Sequence, residues 1–371
     1  MLSTATLYVV SVSLLLGGTA GFVMHRSDFC IAGVFRDLFL FRQTFMLRIL
    51  LILIFSSMIF FELARHFGIL RDYPYLWIGS ASLSNILGAF LFGIGMVLAG
   101  GCVVGTLYKM GSGNLLSLYA FCGLLFGSVI YAEIHPLWTS LFAKTVVFSG
   151  LATLPQLLDI DPTVLVLLAA LLILGLWAVV LRKLPWSRDA AAEGYLQPWK
   201  AALILALIGL FSYVLVGMPL GITTAYTKLG ALVEQLFFPQ HVSGLSYLSA
   251  QPIHYIPPFS DVSFAGGAGP QFDAVAIIQY PLIVGIILGS AVSAIRLGEF
   301  RVRLQAPKRQ IVSVLVGGVV MGLACRMTPG CNVWHLLGGL PIFSLQAVFY
   351  LVGLIPGAWV GSRVLQRFVV R

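Results

Sequence analysis

Residues 88–102, GAFLFGIGMVLAGGC, and residues 317–331, GGVVMGLACRMTPGC, decide how this chain is read. Laying Cys102 on Cys331 places Gly88, Gly93 and Gly101 on Gly317, Gly322 and Gly330. Each copy is an apolar helix pattern that breaks at a Gly-Cys pair. The first break carries Gly100 and Gly101, which free the backbone to turn. The second carries Pro329 and Gly330, where proline cannot continue a helix. The same stop, reached by different chemistry, points to a built feature. Discontinuous helices at matching places in the two halves of a membrane protein mark a binding site near the bilayer midplane.

The surrounding sequence fits a bilayer. Hydrophobic residues make up 59% of the chain and charged residues only 9%, against roughly 25% charged in soluble domains. Long apolar runs of about the 20 residues that cross a hydrocarbon core alternate with short basic loops. Nine crossings are expected, near 5–24, 45–64, 83–101, 115–134, 163–181, 200–220, 280–297, 310–328 and 341–362. No basic residue precedes the first run, so it is expected to stay as a helix rather than be cleaved as a signal. The stretches 135–162 and 221–279 read as the long extramembrane loops, the latter without a catalytic motif. Of the 22 lysines and arginines, all but Arg65, Arg71, Lys144, Lys228 and Arg326 fall on one side of such a topology. The net charge of +9 therefore reports orientation under the positive-inside rule, not nucleic-acid binding. The expected arrangement is N-terminus outside and C-terminus in the cytoplasm.

The two motif copies lie on the third and eighth expected crossings, an odd number apart, so they run in opposite directions. The chain reads as one all-α membrane domain, 1–371, with an inverted repeat. Residues 1–181 form a first half with motifs at 25–37 and 88–105. Residues 182–200 form a cytoplasmic linker, and 201–371 a second half with a motif at 317–335. The element around 25–43 has no evident counterpart in the second half. Its core, His25 to Asp37, is too short to span and is expected to be a re-entrant half-helix starting near Phe29 and capped by Ser27 or Asp28. Such backbone is tolerated only inside protein or along a cavity.

All five cysteines, at 30, 102, 122, 325 and 331, lie in or beside apolar segments. That argues against a secreted disulfide framework. Zinc is also disfavoured, because no CxxC is present and His335 alone does not complete a tetrahedral set. Cys122, in mid-helix, reads as a small packed hydrophobe. Cys102 and Cys331 sit at the paired breaks and Cys30 in the re-entrant element, so these three are the candidate pathway residues. Cys325 is a fourth candidate. A neutral thiol is a weak donor and a soft, polarisable contact. A row of them passes a soft sulfur or selenium anion without trapping it, while helix ends, including one expected near Gly113 and Asn114, supply positive field. Gly100, Gly101 and Gly330 shape the breaks. Arg326, the one cation deep in a motif, is a functional candidate by its position. Asn332 is placed to cap the following half-helix, His335 to cap a helix or line the path, and Arg36-Asp37 to form a structural pair. A membrane thiol enzyme forming a persulfide is the alternative from another class. It requires an activated thiolate, and no cation sits beside Cys102 in sequence.

Phe29-Cys30-x4-Phe35-Arg36-Asp37, then Gly93-x-Gly95-x2-Leu98-Ala99-Gly100-Gly101-Cys102-x2-Gly105, then Arg326-x3-Gly330-Cys331-Asn332 resemble the YeeE/YedE family of sulfur-compound transporters across about residues 20–360. The resemblance implies an inner-membrane protein of about nine spanning helices with short non-spanning ones, hourglass-shaped and pseudo-twofold. It implies thiosulfate uptake through a narrow centre lined by three essential cysteines, carried over by motif to Cys30, Cys102 and Cys331. It also implies a small cytosolic sulfur-carrier partner of the TusA type; no cofactor is expected. The chain departs from the family pattern at Cys325, an added cysteine, and at Trp334, where a glycine is usual. The Arg-x3-Gly-Cys-Asn form is closer to the branch proposed to move selenium compounds, which keeps a selenium substrate as the alternative.

Overall fold

In hydrocarbon every backbone N–H and C=O must be paired within the chain, which leaves an apolar run little choice but a helix. The computed structural model describes residues 3–70, 73–74, 78–179, 185–187, 194–302 and 306–370. The first half runs through α1 (Thr4–Ser27), α2 (Ile31–Leu40), α3 (Phe45–His66), α4 (Leu83–Leu98), α5 (Val103–Gly111), α6 (Leu115–Lys144), α7 (Leu154–Leu158) and α8 (Pro162–Val179). The second begins with α9 (Pro198–Phe211), which widens into a π turn, Ser212–Val216, and stops at Gly217 (φ 84°). There follow α10 (Thr223–Phe237), the short α11 (Pro239–Gly244) and α12 (Ser246–Ser249), and an antiparallel hairpin of β1 (Ile253–Tyr255) and β2 (Phe264–Gly266). The chain closes with α13 (Ala274–Arg296), α14 (Lys308–Met327), a π-helical segment Val333–Gly339 tightening into Leu340–Ile342, and α15 (Leu345–Leu365).

Among the described residues eight helical stretches are long and apolar enough to cross a membrane, the first being Thr4–Leu40, which holds α1 and α2. The remaining expected crossing, 163–181, is α8, whose described apolar part is shorter and whose last expected residues lie outside the described ones. Within the linker 182–200, residues 182–184 and 188–193 also lie outside them, as do Arg71, Arg303 and Arg371.

Small residues let the helices close on each other. A Cβ on Gly95 of α4 would sit 2.6 Å from the Met321 nitrogen of α14, and one on Gly317 would strike the backbone at Ala99. Gly88, Gly95 and Gly317 thus form the crossing of α4 and α14, while Gly93 faces α15 and Gly318 and Gly322 face α6. Around it α1 packs along α13 and α3 along α9, α6 along α14 and α15 along α4, α2 on α15 and α10 on α6.

Three expectations change. The stretch 221–279 is not simply an extramembrane loop. Its first part is α10, whose Thr223, Ala225, Tyr226, Thr227, Lys228, Gly230 and Ala231 are buried. Its polar content hid it from a reading based on apolar runs. Lys228 accordingly does not report topology: its Nζ donates to Gly267 O (3.1 Å), Gly269 O (2.6 Å) and Asp273 Oδ2 (2.8 Å), pinning the segment after β2 against α10. Next, α6 continues through Pro136 to Lys144, ten residues beyond the expected end at 134. Finally, α2 begins at Ile31, not near Phe29. Ser27 closes α1, Asp28 (φ 50°) is the left-handed residue that ends it, and the N-cap position of α2 belongs to Cys30.

Candidate functional site

Three cysteines occupy the same local position, just before a helix that starts inside the protein. Asp28 turns the chain after α1, Phe29 and Cys30 run extended, and the Cys30 carbonyl accepts the Val34 N–H (3.0 Å). The Cys30 Sγ faces the backbone N–H groups of Gly33 and Cys102 and the Cys102 thiol. On the next break, Gly100 (φ 70°) reverses the chain after α4, and Cys102 is the N-cap residue of α5. Its Sγ accepts the Gly105 N–H (3.3 Å) and its carbonyl the Thr106 N–H (2.7 Å). At the third, Gly330 (φ 152°) follows α14, and its N–H reaches back to Cys325 O (2.9 Å). The Cys331 carbonyl accepts the His335 N–H (3.0 Å), and its Sγ faces the N–H groups of Val333 and Trp334.

All three cysteines are buried. Each sulfur lies where unsatisfied N–H groups and the helix dipole favour negative charge. Gly105 lets two of them meet: a Cβ there would stand 2.7 Å from Cys30 Sγ and 3.3 Å from Cys102 Sγ. A small cavity of about 40 Å³, lined by Phe29, Cys102, Ile222, Val333 and Leu337 among others, lies at this centre. It is apolar and has room for about one small group, since a water molecule occupies roughly 30 Å³ in the liquid. The helix start expected near Gly113 and Asn114 is that of α6, capped by Asn114; the helix that meets Cys102 is α5, starting at once at Val103.

The remaining candidates divide. Cys325 is buried and its thiol donates to Gly322 O (3.1 Å). Arg326, also beside Cys325, donates to Thr223 Oγ1, to Thr224 Oγ1 (3.0 Å) and to Tyr247 OH (3.4 Å). Asn332 does not cap the segment it precedes: its Oδ1 accepts from Tyr350 OH (2.8 Å) and its Nδ2 lies 3.3 Å from Met96 Sδ. The side chain turns toward α15 and α4 because burial there leaves its amide no other partner. His335 places Nε2 2.8 Å from Thr328 O and stacks on Tyr350 with centroids 4.1 Å apart. Thr328 is the C-cap residue of α14, so His335 caps the end of that helix at the break. Gly101 faces Gly105 and Thr106 across the turn. Arg36 and Asp37 form a half-exposed ion pair at 2.9 Å, and Cys122 lies exposed on α6. Trp334 covers Gly330 and also approaches Gly221.

Sequence reasoning missed Gly105, Thr223, Thr224, Tyr247 and Tyr350. Only Gly105 carried a signal, as the last glycine of its motif. The others come from elements far away in the chain.

The chain matches the model of a family described as sulphur transport over residues 26–360. It is 28% identical over 366 residues to a thiosulfate transporter of Spirochaeta thermophila, covering 94% of this chain and 97% of that protein. It is also 28% identical to a thiosulfate transporter of Escherichia coli, covering 94% and 92%. A probable transporter of Escherichia coli is 27% identical over 166 residues, 45% of this chain and 37% of that protein.

Proposed function

The chain belongs to the sulphur-transport family, and we propose that it carries a small sulfur-containing anion, thiosulfate foremost, across the inner membrane past Cys30, Cys102 and Cys331. One observation carries this reading: three buried cysteines, each at the first turn of a helix that begins inside the protein, with Cys30 and Cys102 both against Gly105. The helix starts attract the anion. The thiols contact its terminal sulfur softly, so that no station binds too tightly to release it. The narrow centre admits the ion without its water. Gly100, Gly101 and Gly330 hold the turns, while Asn332 and His335 hold the Cys331 break. Transport of this kind needs no bond to be made or broken, which is why the reading is a transporter and not an enzyme.

The paired packing of α1 on α13 with α3 on α9, and of α6 on α14 with α15 on α4, supports an inverted two-fold relation between the halves. In it α10 is the counterpart of α2, and Ile222, the N-cap residue of α10, stands where Cys30 stands. The basic-residue asymmetry supports the N-terminus outside and the C-terminus in the cytoplasm. A TusA-like carrier is the expected cytosolic recipient.

Growth tests the function. A bacterium deficient in thiosulfate uptake, given thiosulfate as sole sulfur source, is expected to grow with the wild-type chain. It is expected to fail with Cys30→Ala, Cys102→Ala or Cys331→Ala at equal membrane expression. Growth with all three variants would sink the cysteine relay. No rescue by a well-expressed wild type, with uptake of a selenium compound instead, would replace the substrate.

A further inference from the structure

Arg326 is only 7% exposed, and among the described residues no carboxylate lies within 4.0 Å of it. Its Nε has no hydrogen-bond partner. A buried cation without a counter-ion is costly, and inside a membrane protein it is retained where an anion visits. What surrounds it is suited to one. Its two terminal nitrogens reach Thr223 and Thr224, the first two residues of the 15-residue α10. The N-cap residue of that helix, Ile222, supplies no side-chain cap, so the first N–H groups look to other partners. Gln279 Oε1 takes that of Ala225 at 2.8 Å. Thr223, Thr224 and Tyr247 accept from Arg326 with their oxygens, which leaves each hydroxyl proton to donate. Tyr247 is held in place edge-on to Tyr131 (centroids 5.1 Å apart) and against His135 (4.6 Å). Thr224 and Tyr247 are half-buried while Thr223 and Arg326 are buried, so the site opens on the α12 side and closes toward Cys325.

We propose that Arg326, Thr223, Thr224, Tyr247 and the first turn of α10 form an oxyanion-binding station distinct from the three cysteines. It takes the trigonal oxygen face of a tetrahedral sulfur dianion and leaves the terminal sulfur of thiosulfate for the thiols. This rests on the transport reading above. It adds that recognition has two parts: sulfate, which shares the oxygens but lacks the terminal sulfur, binds here and goes no further.

The test uses the purified full-length chain in detergent. Its thermal midpoint is followed against sulfate and against thiosulfate, with chloride holding ionic strength constant. Wild type is expected to show saturable stabilisation by both. Thr223→Val with Thr224→Val is expected to raise the half-saturating sulfate concentration about tenfold, the scale of losing charged-group hydrogen bonds. Thr223→Ser with Thr224→Ser is expected to stay within about threefold of wild type, and Cys331→Ala to bind sulfate as wild type does. Should the valine pair not fold, Tyr247→Phe is expected to weaken sulfate binding by about threefold. The proposal is overturned by the absence of a saturable response in wild type, by equal binding in the valine pair (or in Tyr247→Phe if that pair does not fold), or by loss of sulfate binding in Cys331→Ala. Sulfate binding as described, in a chain that moves no thiosulfate, would remove the transport reading and leave the station standing.

Discussion

Gly105 lies in a helix, where alanine is ordinarily preferred by about 1 kcal/mol, yet its missing Cβ is the space that Cys30 and Cys102 share. Gly105→Ala is therefore expected to keep the fold and to push the two sulfurs apart. Overpacking of this kind costs about 1–3 kcal/mol, and with the two sulfurs displaced thiosulfate uptake is expected to fall. Uptake measured against membrane expression checks it; an unchanged rate would mean that the two sulfurs need not lie together. Asn332→Ala is expected to act differently. It leaves Tyr350 OH without its acceptor, a loss of about 1–3 kcal/mol visible as a lower thermal midpoint. At this scale the turns before Cys102 and Cys331 were legible because glycine and proline mark them in the sequence itself, whereas the turn before Cys30 is made by Asp28. The role of Asn332 was not, because its partner Tyr350 stands 18 residues beyond it and reaches it only through packing.

Elements show the same division. Apolar runs announce α1, α3 and α4, and a glycine break announces the split between α4 and α5. α10 stayed hidden because it buries Thr223, Thr227 and Lys228, and the partners of Thr223 and Lys228 are tertiary ones that no local pattern reveals. The Lys228–Asp273 pair (2.8 Å) is buried, so Lys228→Met is expected to cost about 3–5 kcal/mol by stranding the carboxylate. Asp273→Asn added to Lys228→Met should recover part of that loss, and denaturation of the two variants compares them. On the surface, the carboxylate of Glu133 on α6 accepts from His241 of α11 at 2.6 Å and raises the imidazole above its ordinary value of 6.5. A raised value means that this tie is complete below the ordinary histidine range and is lost as pH climbs through the raised one. Amide protection in 239–244, taken relative to intrinsic exchange at each pH, is expected to fall toward alkaline pH, and His241→Gln to remove that fall.

For the whole molecule, the family and the membrane class were legible from three linked motifs and from composition. The architecture needed the packing of helices, because only that shows α10 beside α6 as α2 lies beside α15. α5 starts directly after Cys102, beyond the end of α4, and Val333–Ile342 follows Cys331, beyond the end of α14. The expected orientation is checked by fusing reporters at the C-terminus, where activity only of a cytoplasmic reporter is the anticipated result. The proposed function requires that this chain by itself conduct a sulfur anion past its three cysteines. The most direct measurement is the flux of sulfur-labelled thiosulfate into liposomes holding only the purified protein. Wild type should admit label well above empty liposomes, and Cys102→Ala should fall to their level. Wild-type flux no greater than that of empty liposomes, or an undiminished flux in Cys102→Ala, would contradict the account.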